Sequence, residues 1–270
     1  MTEKKEKFAV PEGFDSVKED VIYGKLVEIT YDSKTTGTTR KANVILPPEY
    51  DENKKYPVLY LLHGIGGDHN EWLGAEPVKV LSNLLAEKEA VPMILVIPNV
   101  RARANDKCEP QDIYTLEHYK AFDNFINDLR DDLMPFIKSS YPVLTGPDHT
   151  AIAGLSMGGR ESLYIGCSMP ETFGYIGAFT PAPGLLPYTN FGVSEEGLFT
   201  KKTLTLPEGS RHFVMINAGL SDGIVSIWPQ TYHETLKANG VNNTFYITDG
   251  GHDFTVWKNG LYNFAKEIFK

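Results

Sequence analysis

The chain has 270 residues, 41% of them hydrophobic, which suits one large domain with a sizeable core. Its net charge of −9, without a cluster of Lys and Arg, argues against nucleic acid or an anionic membrane as a partner. No apolar run approaches the roughly 18 residues of a membrane span, and residues 1–7 are polar and charged, so no secretory signal is visible.

The first quarter of the chain predicts one edge of a sheet. Residues 1–18 are expected to form a loose, charged arm, separate from a single domain over 19–270. Two strand-like segments, 21–31 and 41–46, flank a turn-rich stretch and predict an antiparallel hairpin. The continuous β-branched and aliphatic run at 57–62 predicts a central strand.

From there on, short apolar runs alternate with segments of helical periodicity. The clearest helix is predicted over 119–139, where apolar residues follow spacings of three and four. Alternation of this kind is typical of an α/β fold with a mostly parallel sheet and helices on both faces. Strands are predicted at 93–97, 150–153, 175–179, 213–216 and 243–247, and helices at 78–88, 159–169, 232–239 and 256–269.

The segment 180–211 fits neither period and carries four prolines and four glycines. A loop of this length in a compact domain is usually functional or disordered. Because it follows a predicted strand, we expect it over the carboxyl ends of the strands, as a lid-like or substrate-binding insertion. A plain surface excursion is the alternative.

The two cysteines, Cys108 and Cys167, are too few for a disulfide framework, although a single bridge stays open. Cys167 falls in the predicted helix 159–169. We expect it to be a small core residue rather than a reactive thiol.

The pattern Gly-x-Ser-x-Gly occurs at 154–158, between a predicted strand and a predicted helix. A serine on such a tight turn is lifted above the end of the sheet with its hydroxyl exposed. Glycine is expected on either side of the serine, because the turn brings two backbone segments too close together to leave room for a Cβ. Ser156 is therefore the predicted nucleophile.

An attacking serine needs a base, and the base needs an orienting carboxylate. His252 lies between a predicted strand and the last helix, and Asp222 directly follows the strand at 213–216. The order Ser156, Asp222, His252 is the order found in α/β-hydrolases. Asp249 and Asp253 are competing acids, but they share the loop of His252, and Asp249 is instead expected to cap the last helix.

The remaining histidines are expected to have structural roles. His149 and His212 precede their strands and so lie at the opposite end of the sheet, while His118 and His233 belong to helices. His63 and His69 could be considered for a metal, but no acid or cysteine stands at a characteristic ligand spacing from them. No metal and no cofactor are therefore expected.

A glycine-rich turn, His63-Gly-Ile-Gly-Gly, directly follows the predicted central strand. A tetrahedral intermediate carries an oxyanion that requires two N–H donors. The backbone N–H groups of Met157 and Ile65 are the predicted donors. His63 is then expected to bond to nearby backbone rather than to act as a catalyst.

Three motifs together resemble the feruloyl esterases of carbohydrate esterase family 1. They are Leu61-Leu-His-Gly-Ile-Gly-Gly67, Gly154-Leu-Ser-Met-Gly-Gly159 and Gly250-Gly-His-Asp-Phe-x-x-Trp257. The resemblance implies the α/β-hydrolase fold and release of ferulate or p-coumarate from arabinose side chains of xylan. It also implies an extracellular enzyme, often attached to other modules of a parent chain.

Aromatic side chains near the mouth of the site could hold a cinnamoyl ring. The candidates are Trp228, Trp72, Tyr188 and Phe191, although each taken alone is more often a packing residue. Other functions on the same triad stay open: an acetyl xylan esterase or general short-acyl esterase, a thioester hydrolase, or an acyltransferase. A non-catalytic carbohydrate-binding module is a further alternative.

Overall fold

An eight-stranded sheet forms the centre of the molecule, whose computed structural model describes residues 7–190 and 193–270. The strands are β1 (Lys25–Ser33), β2 (Thr38–Leu46), β3 (Val58–Leu62), β4 (Ile94–Pro98), β5 (Thr150–Leu155), β6 (Tyr175–Phe179), β7 (Tyr188–Asn190), β8 (Val193–Glu195), β9 (Phe213–Gly219) and β10 (Thr244–Thr248). Their order in the large sheet is β1-β2-β4-β3-β5-β6-β9-β10. Strand β2 runs antiparallel to both neighbours, and the strands from β4 to β10 in this order are parallel.

Helices cover both faces of this sheet. They are α1 (Pro77–Ala86), α2 (Leu116–Asp123), α3 (Phe125–Asp128), α4 (Met134–Ser140), α5 (Met157–Ser168), α6 (Trp228–Ala238) and α7 (Phe254–Glu267). Short 3-10 helices occur at Glu71–Ala75 and Pro147–His149. Within the described ranges, no helix is both long enough and apolar enough to cross a membrane.

Strand β3 shows how the sheet divides the core. Val58, Tyr60 and Leu62 point into the layer that contains α2 to α6, while Leu59 and Leu61 point into the layer of α1 and α7. Successive side chains of a strand point to opposite faces, so a strand covered on both sides is apolar throughout. The predicted mostly parallel α/β architecture is confirmed.

The segment predicted as one helix over 119–139 is divided in the structure. Helix α2 begins earlier, where the Thr115 hydroxyl accepts from the backbone N–H of His118, and a π-helical turn at Leu129–Leu133 interrupts the segment before α4. Pro135 follows this turn and lacks the N–H that a continuous α-helix would use. The apolar stripe is nevertheless buried, because Phe122, Leu133 and their neighbours face the core.

The insertion 180–211 contains the short hairpin β7–β8, which the sequence did not predict because three-residue strands give little periodic signal. Its base is packed. Leu185 and Leu204 are fully buried, and the Tyr232 hydroxyl donates to the carbonyl of Ala182 at 2.9 Å. The Ala182 N–H donates to the Ser156 carbonyl at 2.9 Å, which places the start of the insertion beside the predicted nucleophile.

The described part of the N-terminal arm packs against the domain, which differs from the loose segment that its composition predicts. Phe8 stacks on Tyr246 with ring centroids 4.0 Å apart, and Phe14 packs edge-to-face on Tyr262. The Asn83 side-chain amide donates to the Phe14 carbonyl. These aromatic contacts offset the entropy that the segment loses when it becomes ordered. A prediction based on the number of charged residues does not take them into account.

Cys108 and Cys167 are free thiols, so the disulfide left open by the sequence does not form. Cys167 lies in α5, where burial raises the pKa of its thiol to about 12. This agrees with the expected packing role.

A buried ion pair joins the β1–β2 hairpin to the helices. The Arg40 guanidinium lies 3.5 Å from an Asp128 carboxylate oxygen, and both side chains are fully buried. The Tyr31 hydroxyl donates to the same carboxylate at 2.6 Å. Arg40 also donates to the carbonyls of Asn99 and Arg101, which fixes the loop after β4.

Removal of one partner of this pair should be strongly destabilising. We expect Asp128→Ala to lower the free energy of unfolding by about 3–5 kcal/mol, because it leaves Arg40 charged and buried without a carboxylate. Urea denaturation measures the loss. Asp131→Ala, which removes the exposed partner of Arg130 in the same segment, is the control and should leave the midpoint close to that of the wild type. Equal midpoints for the two variants would contradict this assignment.

Candidate active site

Ser156 occupies a strained turn between β5 and α5. Its backbone has φ 52° and ψ −117°, a combination that non-glycine residues rarely adopt. The turn is held from both sides, since the Ser156 N–H donates to the Phe179 carbonyl at 2.9 Å and its carbonyl accepts from Ala182 and Arg160. This is the geometry that the Gly-x-Ser-x-Gly pattern predicts.

The flanking glycines are required by close backbone contacts. A Cβ on Gly158 would lie 2.2 Å from the Leu62 carbonyl oxygen, and one on Gly154 would lie 2.4 Å from the Gly158 carbonyl. The start of α5 therefore presses directly against β3 and β5, and only glycine fits there.

The structure brings the three predicted catalytic residues together. His252 follows β10, and its Nε2 lies 2.9 Å from Ser156 Oγ. Its Nδ1 lies 2.8 Å from Asp222 Oδ2 on the loop after β9. The imidazole is thus placed to accept the serine proton while the carboxylate orients it.

Asp222 is held as a carboxylate. Burial by itself would raise its pKa, but the hydrogen bonds from His252 and from the backbone N–H groups of Val225 and Ile224 outweigh burial and lower it. Those two N–H groups lie 3.1 and 2.9 Å from Oδ1. Both oxygens of the carboxylate are therefore engaged, and the group remains ionised at neutral pH.

The competing acid Asp253 has a different role. Its Oδ1 accepts from the Thr255 N–H at 2.9 Å and its Oδ2 accepts from the Gly251 N–H at 3.0 Å, so it caps α7. The expectation that Asp249 caps this helix is wrong. Asp253 is the residue directly before the first helical turn, where a side-chain oxygen can reach the unpaired N–H groups.

The glycine-rich turn lies beside Ser156. A Cβ on Gly64 would be 3.5 Å from the Ser156 Cβ and 2.8 Å from a Leu155 methyl carbon. The Gly64 carbonyl accepts from His63 Nδ1 at 2.7 Å and from the Gly67 N–H at 3.2 Å. These bonds fix the peptide that carries the N–H of Ile65, one of the two predicted oxyanion donors, while the other, the Met157 N–H, belongs to the first turn of α5.

His63 is buried and bonds to backbone on both sides, as expected. Its Nε2 accepts from the Val100 N–H at 2.7 Å, so the hydrogen-bond network assigns the proton to Nδ1. Burial, assisted by the charge of Arg101, lowers the pKa of His63 to about 3. The ring is therefore neutral and acts as a fixed link between the loops after β3 and β4.

Two residues at this turn were missed by the sequence. The Glu71 carboxylate accepts from the Gly64 N–H at 2.6 Å, and burial raises its pKa. His118, expected to be a packing or surface residue of a helix, donates from Nε2 to the Ile65 carbonyl at 2.8 Å. Neither residue stands at a recognisable sequence spacing from the motif, because tertiary packing brings both side chains to the turn.

Trp257 belongs to one of the three sequence motifs, but no contact was predicted for it. Its ring packs edge-to-face against His252, with centroids 5.3 Å apart, and its Nε1 donates to Thr180 Oγ1 at 2.8 Å. The indole therefore supports one side of the His252 imidazole.

The four aromatic residues expected to contact the substrate differ in position and exposure. Trp72 is fully buried and donates from Nε1 to the Leu62 carbonyl at 2.8 Å, so its expected substrate contact is wrong: its 3-10 helix directs the ring into the core. Tyr188 is 5% exposed and packs edge-to-face on Trp228, which begins α6 and is half-buried. Phe191 lies outside the described residues.

The histidine pair that could have suggested a metal is divided. His63 contacts backbone groups, whereas His69 Nε2 lies 3.2 Å from a Glu28 carboxylate oxygen. In the part of the chain that the structure describes, no group of three or more His, Cys, Asp or Glu side chains is arranged to hold a metal ion.

The chain resembles known esterases in sequence. The family model named Esterase matches residues 33–267. An endo-1,4-beta-xylanase/feruloyl esterase of Xylanibacter ruminicola is 27% identical over 270 residues, covering 97% of this chain and 34% of that protein. Endo-1,4-beta-xylanase Y of Acetivibrio thermocellus is 31% identical over 182 residues, covering 62% of this chain and 15% of that protein. The chain thus spans about a third or less of the length of these curated relatives.

The similarity extends to a solved structure, that of a CE1 ferulic acid esterase from Anaeromyces mucronatus in complex with ferulic acid. It is 39% identical to this chain, with a TM-score of 0.91 and 97% of each chain covered. This likeness confirms the predicted α/β-hydrolase fold.

The neutral state of His63 has a measurable consequence for stability. The ordinary histidine pKa is 6.5, and burial lowers that of His63 to about 3. Between these values the unfolded chain binds a proton at His63 that the folded protein does not. This residue therefore decreases the unfolding free energy as the pH falls, by up to about 1.4 kcal/mol per pH unit.

We expect His63→Gln to have a shallower pH dependence than the wild type over this range. Urea denaturation of both proteins at neutral pH and at about pH 5 measures the difference. Parallel profiles would show that His63 is not held neutral by the fold. His149→Gln, a half-buried position in the 3-10 helix before β5 at the opposite end of the sheet, serves as the control.

Proposed function

Because the chain belongs to the Esterase family of carboxylic ester hydrolases, we propose that it is a serine esterase that hydrolyses feruloyl and p-coumaroyl esters on arabinoxylan side chains. The observation that carries the proposal is the hydrogen-bonded series Ser156 Oγ, His252 and Asp222, with separations of 2.9 and 2.8 Å. Similarity to a ferulic acid esterase over 97% of the chain supports the acyl group.

The proposed reaction has two halves. Ser156 Oγ attacks the ester carbonyl while His252 Nε2 takes the hydroxyl proton, and Asp222 stabilises the resulting imidazolium. The N–H groups of Ile65 and Met157 stabilise the oxyanion. Collapse of this intermediate breaks the ester bond, and the sugar alcohol leaves with the proton from His252. Water then attacks the acyl-enzyme by the same steps, releasing the free acid and restoring Ser156.

Trp228 is the proposed contact for the cinnamoyl ring. It lies six residues after Asp222, is half-buried, and has Tyr188 packed against it at 5.6 Å between centroids. A supported, partly exposed indole provides a flat apolar surface at low entropic cost. A short acetyl group would not reach such a surface, which separates this proposal from a short-acyl esterase.

The proposed setting is outside the cell. The names of the two xylanase relatives, both longer than this chain, support action on a plant polysaccharide and attachment to further modules. Feruloylated arabinoxylan or its oligosaccharides are the proposed substrate.

Loss of the nucleophile tests the triad. We expect Ser156→Ala to lower kcat/KM for methyl ferulate and for p-nitrophenyl acetate by about a thousandfold or more, because the acyl-enzyme can no longer form. Ser210→Ala, at an exposed position far along the insertion, is the control and should retain wild-type rates. Near-normal turnover by Ser156→Ala would refute the proposed mechanism.

Selectivity for the acyl group is tested at Trp228. We expect Trp228→Ala to raise KM for methyl ferulate about tenfold while changing KM for p-nitrophenyl acetate little, since only the aromatic acyl group reaches the indole. Initial rates with both substrates provide the ratio. An equal effect on both would exclude a ring contact at this position, and acetate turnover without ferulate turnover in the wild type would favour a short-acyl esterase.

A further inference from the structure

A polar cavity of about 570 Å³ lies next to the glycine-rich turn. Its walls come from three segments: the turn itself at Gly67 and Asp68, the loop after β4 at Arg101 and Lys107, and the start of β2 at Thr39. The cavity lies at the carboxyl ends of the parallel strands, which is the end of the sheet where Ser156 lies. Strand β4 is two places from β5 in the sheet order, a separation of about 10 Å.

The lining of this cavity does not suit an aromatic acyl group. None of its lining residues is Phe, Tyr, Trp, Val, Leu, Ile or Met. A cinnamoyl ring would lose its hydration there without gaining apolar contact. Whatever binds in this cavity must present hydroxyl or charged groups.

Arg101 forms the most constrained part of the wall. Its side chain is almost completely buried, and it donates from Nε to the Asp106 carbonyl at 3.1 Å and from Nη1 to the Gly67 carbonyl. Both acceptors are uncharged. In the described ranges the guanidinium makes no ion pair and Nη2 has no protein acceptor, which is unusual for a buried charge. The cavity thus contains a fixed donor.

The charges around the cavity balance. Three cations and three carboxylates line it: Lys41, Arg101, Lys107, Asp68, Asp106 and Glu109. A single anion would meet repulsion from the carboxylates. A neutral polyol can use both kinds of group, because each of its hydroxyls donates and accepts hydrogen bonds.

Part of the wall is held in place by hydrogen bonds within the protein. Arg40, itself paired with Asp128, donates to the carbonyls of Asn99 and Arg101 and so fixes the loop after β4. A preformed array of donors and acceptors avoids the entropic cost of ordering on binding.

We propose that this cavity binds the pentose units of the leaving alcohol, so that the sugar chain extends from the ester across the glycine-rich turn. The inference rests on the proposed esterase function. It assigns the alcohol half of the substrate to the β2–β4 side of the turn and leaves the acyl half to the side of Asp222.

The first test compares two ferulate esters. We expect the double variant Lys107→Ala, Asp68→Asn to reduce the ratio of kcat/KM for a feruloylated arabinoxylotriose to kcat/KM for methyl ferulate by about tenfold, because the Lys107 donor is lost and the charged acceptor at Asp68 becomes a weaker, neutral one. Glu208→Ala, in a separate polar cavity far along the chain, is the control and should keep the wild-type ratio. An unchanged ratio in the double variant would overturn the proposal while the esterase function stands.

The second test needs no turnover. Isothermal titration of the Ser156→Ala protein with unesterified arabinoxylotriose should show binding that the added Lys107→Ala and Asp68→Asn changes weaken about tenfold. This measurement decides the role of the cavity even if the wild type fails to hydrolyse methyl ferulate, a result that would refute only the esterase proposal. Absence of sugar binding, or binding of sodium glucuronate in its place, would overturn the assignment to a neutral sugar.

Discussion

The contact between the start of α5 and the end of β3 determines the geometry of the whole site. With no Cβ at Gly158, the helix backbone lies against the Leu62 carbonyl, and this contact brings Ser156 next to Gly64. Ser156, the proposed nucleophile, and the turn that carries Ile65 are separated by about ninety residues in sequence but become neighbours through this one approach of two backbones. The strained φ of Ser156 is the local cost, and its hydrogen bonds to Phe179 and Ala182 maintain it.

A continuous series of buried polar contacts supports the same turn from the other side. It starts at Asp128 and Arg40, passes through Arg101 to the Gly67 carbonyl, and meets Glu71 and His63 at Gly64. Unpaired polar groups are costly in a low-dielectric interior, so each member of such a series restricts the others. The turn is thereby held without regular secondary structure.

Much of this arrangement could be predicted from the sequence, because its strongest signals are local. The strand–turn–helix around Ser156 and the chain order of Ser156, Asp222 and His252 are patterns of short range, and parallel strands bring their carboxyl ends to one edge. Glu71 and His118 could not be found in this way, since their contacts with Gly64 and Ile65 depend on tertiary packing. Trp72 was misplaced for a related reason: the composition of the segment does not show which way a short 3-10 helix turns its ring.

Arg101 belongs to two environments at once, since one face of its guanidinium lines the polar cavity and another holds the Gly67 carbonyl. A ligand in the cavity and a substrate beside the turn would both depend on Arg101, so their binding would be thermodynamically linked, and such linkage is reciprocal. A group seated in the cavity would restrict Arg101 and, through it, the turn beside Ser156. Binding energy gained far from the scissile bond would then appear in kcat rather than in KM, since it would be used to order the groups that meet the transition state.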